Sequence, residues 1–227
     1  MDELPTWAVL AAVGGIVGVD ATSVGQFMIS RPLVAATLGG WVFGRPAEGL
    51  VLGIALELFE LCILPVGATR TPEGGTGALA AGAAYAVAGP VGFAAVPIAL
   101  AVAFGLLAER LAGETVTALR RLNARLVGER ALTAIRSSSA LTARHTAAIG
   151  LDFLRGAVVS TAAALVGAWV LASLPAAGDE VGRAASSILG LALPAMAGAG
   201  AAVLAGGARV TPFLVGLAAG VGLWVVL

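Results

Sequence analysis

Long apolar runs broken by single polar residues make up most of the chain, and their lengths predict its elements. Residues 7–29 form the first run, long enough at about 20 residues to cross a bilayer, although Asp20, Thr22, Ser23 and Gln26 interrupt its second half. That half is expected to face away from lipid. The stretch LVAATLGGWVFG (33–44) lies between Arg31-Pro32 and Arg45-Pro46. As a helix it would rise only about 18 Å against about 30 Å of hydrocarbon, which predicts a re-entrant or broken segment.

Pro46 and Glu48 put a proline and a carboxylate in a first helical turn. A helix is predicted from there to about Leu64, where Pro65 and Gly67 break it. Residues 78–107 contain Gly89-Pro90 and Pro97, which predicts a hairpin or a broken helix rather than one straight rod. Further apolar runs cover 153–174, 186–206 and 210–227. Pro194 and Thr211-Pro212 echo the interruptions of the N-terminal half, as an internal repeat of the kind found in transporters would.

Composition names the solvent. With 59% hydrophobic and 11% charged residues, the chain has too little polar surface to coat a soluble domain, where about 25% of residues carry charge. An all-α integral membrane protein is expected, with several transmembrane helices and broken or re-entrant hairpin segments. The 32 glycines fit close helix packing in lipid, and Gly40/Gly44, Gly49/Gly53 and Gly216/Gly220 have the small-xxx-small spacing. The acidic start MDELPTW lacks the positive flank of a cleaved signal peptide, so the first run is expected to be a retained span.

Thirteen basic and thirteen acidic residues balance, which gives overall charge no pull toward nucleic acid. Residues 108–150 differ from the rest, holding Arg110, Arg120, Arg121, Arg125, Arg130, Arg136 and Arg144. By the positive-inside rule this segment is cytoplasmic. Leu111, Leu119, Leu122 and Leu126 recur between the arginines at helical spacing, the pattern of an amphipathic helix on a membrane or partner surface, or of a solvated loop helix. One membrane domain is therefore read in three parts: 1–107, a basic segment 108–150, and C-terminal helices 151–227.

The candidate chemistry is carried by acids inside apolar runs. Glu57 and Glu60 are three apart and share a helix face, and a carboxylate facing lipid costs several kcal/mol. They face a polar cavity, pair with Arg31 or Arg70, or are protonated. The segment VGATRTPEGG (66–75) reads as irregular backbone at membrane depth, tolerated where it lines a cavity or is buried in protein; an extramembrane turn is the alternative. Thr69, Arg70, Pro72 and Glu73 belong to it, with Thr69, Thr71 and Glu73 suited to sugar hydroxyls. Asp20, Ser23 and Gln26 fall on one side of the first helix if that helix continues through them. They would bind substrate or bond neighbouring helices. Catalytic signatures and metal-ligand spacings are missing, and the single histidine, His145, sits among the arginines of the basic segment, so neither a metal nor a cofactor is expected.

The string SRPLVAATLGGWVFGRPAEGLVLGIALELFELCILPVGATRTPE resembles the N-terminal signature of the IIC subunit of mannose/sorbose-type sugar phosphotransferase (PTS) permeases. The matching pieces are Arg31-Pro32-Leu33, Gly53 through Leu58, Gly67-Ala68 and Pro72-Glu73. The resemblance implies a multi-pass sugar permease of the bacterial inner membrane. Its partners would be a IID membrane subunit and cytoplasmic IIB and IIA phosphocarriers, in an oligomer, with the phosphohistidine on IIB and not on this chain. Carried over by position, Glu57 and Glu73 become the favoured sugar-hydroxyl acceptors. Gly25-Gln26-Phe27-Met28-Ile29-Ser30 departs from the family pattern before RPL, which leaves the sugar open. Two other readings are a non-transporting regulatory or scaffold subunit, and a phosphorylation-independent channel or secondary transporter.

Overall fold

The computed structural model describes residues 3–61, 72–90, 95–127 and 138–173, with isolated helical positions at 184, 187, 214 and 218. Thr69, Arg70, Thr71 and the last two apolar runs, including the expected repeat and the Gly216/Gly220 pair, lie outside the described residues. Six helices fill the rest: α1 (Glu3–Thr22), α2 (Pro32–Val42), α3 (Pro46–Glu60), α4 (Gly74–Ala88), α5 (Ala95–Val127) and α6 (Ser138–Ala172). Among the described residues Leu4–Thr22, Val96–Arg125 and Ser139–Ala172 are long and apolar enough to cross a membrane. The protein is an all-α membrane protein.

The short helices start where proline permits. Pro32 and Pro46 each occupy the first helical turn, where the missing N–H would have had no intrahelical acceptor. Gly44, at φ +76 with open space around it, makes the turn between α2 and α3. With 11 residues, α2 rises about 16 Å and does not span the hydrocarbon. Residues 78–107 are divided between α4 and α5, and Pro97 falls in the first turn of α5.

α4 is the centre of the molecule. Every residue from Gly74 to Ala86 in it is buried, and its alanines join Leu52, Leu56, Ala35 and Ala36 in the core. Glycine allows that packing: a Cβ on Gly82 would lie 2.9 Å from the Ala36 carbonyl carbon, and one on Gly39 would lie 2.9 Å from the Ala83 nitrogen. α1 and α6 cross in the same way, with a Gly18 Cβ falling 2.9 Å from the Gly156 Cα. Close backbone approach of this kind supplies the dispersion contacts that hold helices together in lipid.

Arg45 ties the far end of α4 to the α2–α3 turn. Its guanidinium donates to the carbonyls of Tyr85, Ala86 and Gly89 at 3.2, 3.2 and 2.9 Å, and to that of Pro90. Of these, the Tyr85 carbonyl also accepts the Gly89 N–H, and the Ala86 carbonyl belongs to the last turn of α4, whose acceptors run out of intrahelical donors. Glu48 pairs with it at 3.0 Å, and the Tyr85 ring lies under it at 5.3 Å.

The charge-rich stretch 108–150 is not a separate element. α5 runs unbroken through residue 108, and α6 has already begun at Ser138. The helix face buried there carries Ala108, Ala112 and Val116, whereas Leu111 and Leu122 are exposed. The leucine spacing therefore marks the outer side of a long helix. At 33 residues, α5 is about 50 Å long and outruns the hydrocarbon, so its composition changes where its surroundings do.

Candidate functional site

The end of α1, the start of α2, the end of α3 and the start of α4 converge against the middle of α5. A cavity of about 300 Å³ lies where they meet, lined by Thr22, Ser30, Arg31, Glu60, Glu73 and Arg120, with Pro72, Gly74 and Gly75 among its other walls. That volume is at the lower end for small-molecule sites.

Each wall has a local cause. α1 stops at Thr22 because the Asp20 carboxylate accepts the N–H groups of Phe27 and Ser30 at 2.6 and 2.9 Å. Those bonds fold the following chain into a loop in place of another helical turn. Gln26 then sits outside the helix at φ +54, beside Met28 at φ +67. The expectation that Asp20, Ser23 and Gln26 share one helix face is corrected on this point. Asp20 is buried and holds the loop, and the exposed Gln26 does not line the cavity.

Arg31 precedes α2 and bonds Glu57 from α3, through Nε at 2.8 Å and also through Nη2. The second Glu57 oxygen accepts the Leu33 N–H at 3.3 Å, so this carboxylate also faces the positive end of α2. Glu57 thus stands behind Arg31, and Glu60 is the α3 acid at the cavity. Arg31 Nη1 is 3.7 Å from Glu60 Oε2, an atom that is buried with no hydrogen-bond partner. The other Glu60 oxygen packs on Gly74, where an added Cβ would come within 2.5 Å of it. Glycine at the start of α4 makes room for that carboxylate.

Glu73 immediately precedes α4 and is 5% exposed. Its N–H donates to the Glu109 carbonyl of α5 at 3.0 Å. Its two carboxylate oxygens take the Arg155 fork at 2.5 and 2.8 Å. Arg155 also donates to Asp152 at 2.8 Å and to the Thr115 hydroxyl at 3.3 Å, and Asp152 accepts the hydroxyls of Thr22 and Ser23. Neither Asp152 nor Arg155 stood out in the sequence. The available signal was their three-residue spacing at the head of an apolar run, since ionisable residues at membrane depth come paired.

Carboxylates accept hydroxyl hydrogens, arginine donates, and serine and threonine do both. A cavity carrying all of these suits a small polyhydroxylated molecule. The family profile described as the PTS system sorbose-specific IIC component matches residues 6–215. The chain belongs to that family. Within it, a 67-residue stretch is 30% identical to the PTS system sorbose-specific EIIC component of Lacticaseibacillus casei, covering 30% of this chain and 22% of that protein. The match to this sorbose-type IIC relative thus spans less than a quarter of the relative's length.

Proposed function

We propose that the chain is the sugar-translocating IIC subunit of a mannose-family PTS permease, holding a hexose or related sugar in the membrane while IIB phosphorylates it. The observation that carries this reading is the cavity at the junction of α1, α2, α3, α4 and α5, where Glu60, Glu73 and Arg31 meet. Glu60 and Glu73 accept sugar hydroxyls there, Arg31 donates to ring or hydroxyl oxygens, and Glu57 holds Arg31 in place. Pro72 lines the cavity beside Glu73, and Thr69 and Arg70, which precede it in sequence, remain candidates for the same substrate. The partners in this reading are IID in the membrane and IIB and IIA in the cytoplasm, in an oligomer of the bacterial inner membrane crossed several times by this chain.

Co-expression with IID, IIB and IIA, followed by uptake of labelled mannose, sorbose and amino sugars, tests it. Uptake that needs IIB and drops at least tenfold in Glu73→Gln is the expected result. A working phosphoryl relay with no uptake of any of these sugars would overturn the reading. Uptake that persists without IIB would show a channel or secondary transporter instead.

A further inference from the structure

We propose that Arg155 and Asp152, neither of which lines the cavity, are positioning residues that hold Glu73 and Thr22 as a fixed pair of hydrogen-bond acceptors toward the sugar. This inference rests on the sugar-binding reading above and adds the polarity of recognition to it.

The Glu73 carboxylate has four lone-pair directions, and the Arg155 fork takes one on each oxygen, at 2.5 and 2.8 Å. The remaining lone pairs lie in a plane that the fork sets, where a ligand competes with the Thr76 hydroxyl. Asp152 braces Arg155 through Nε at 2.8 Å and takes the hydroxyl hydrogens of Thr22 and Ser23 with its other oxygen. The Gly18 carbonyl at 3.0 Å and the Ser23 hydroxyl at 3.4 Å are the other partners within reach of the Thr22 hydroxyl among the described residues, so each arrangement in which it donates commits its single hydrogen to the protein. Thr22 is then an acceptor toward the cavity, as Glu73 is, and both residues line it.

This pair offers acceptors only. It recognises hydroxyl or amino hydrogens and rejects a ligand with the same shape that lacks them. Exchanging a sugar hydroxyl for fluorine keeps size and removes the hydrogen, which leaves a buried acceptor unpaired and lowers affinity roughly tenfold or more, equivalent to about 1.4 kcal/mol or more. Arg31 and Arg120, which also line the cavity, are donors and do not make this distinction.

The test is direct binding of mannose, sorbose and their singly fluorinated deoxy analogues to the full chain purified with its membrane partner. Wild type is expected to reject at least one fluoro analogue by about tenfold or more. Arg155→Lys keeps the charge but loses the fork, and that ratio should fall below about threefold. Asp152→Asn keeps the shape, loosens Arg155, and should lower the ratio in part; it decides the question if Arg155→Lys does not assemble. Glu73→Gln combined with Arg155→Lys should match Glu73→Gln alone. If the variants weaken all analogues equally and the wild-type ratio persists, their role is only structural and the inference is overturned. Failure of the wild-type complex to bind any of these sugars overturns the transport reading itself and is seen before any variant is made.

Discussion

Two arginine-centred clusters flank the cavity and differ in how much each can afford to lose. Around Arg155 the side chains are nearly sealed, with Arg155 7%, Glu73 4% and Asp152 3% exposed. Around Arg31 they are open, with Arg31 36%, Glu57 19% and Glu60 27% exposed. In the sealed cluster each oxygen of Glu73 and Asp152 is hydrogen-bonded. In the open one, Glu60 Oε2 has no hydrogen-bond partner. A charge removed from water needs every bond it can form, whereas a charge near water can exchange partners. The sealed cluster accordingly holds Glu73 in one fixed orientation at the cavity, whereas the open one is free to trade Glu60 between Arg31 and a ligand.

Stability measurements on purified variants can break this comparison. Arg155→Ala strands two buried carboxylates and should cost about 3–5 kcal/mol, read as failure to assemble or a large fall in unfolding temperature. Glu73→Gln leaves Arg155 with Asp152 as its remaining acid and should cost about 2 kcal/mol, alongside the loss of uptake. Arg31→Ala is expected to cost about 1 kcal/mol, and added salt should shrink that loss without changing the Arg155→Ala loss. Ser23→Ala removes one of the two hydroxyls on Asp152 and should cost about 0.5–1 kcal/mol. Equal losses for Arg31→Ala and Arg155→Ala would erase the distinction between the clusters.

Much of the frame around these clusters was legible from residue order. Pro46 and Glu48 marked the start of α3 correctly, and the Gly89-Pro90 interruption separated α4 from α5. The length of the 33–44 run announced a helix too short to span. What stayed hidden depends on contacts distant in sequence. Asp152 and Arg155 looked like the edge of an apolar run, and only the fold places them against Glu73 and Thr22. Gln26 seemed to extend α1 because helical spacing alone says nothing of Asp20 capturing the N–H groups of Phe27 and Ser30. The compositional shift at residue 108 marked the start of a basic segment within one membrane domain, and in the structure it falls inside α5.

Arg45 has a mechanical consequence. It grips the C-terminal carbonyls of α4 from the α2–α3 turn, while at the other end Glu60 of α3 rests on Gly74 and α2 packs glycine to backbone along the length between them. The hairpin is fastened to α4 at both ends and along its side, like a splint. A movement of α4 that carries Glu73 therefore carries α2 and α3 with it, which makes the three helices one moving part.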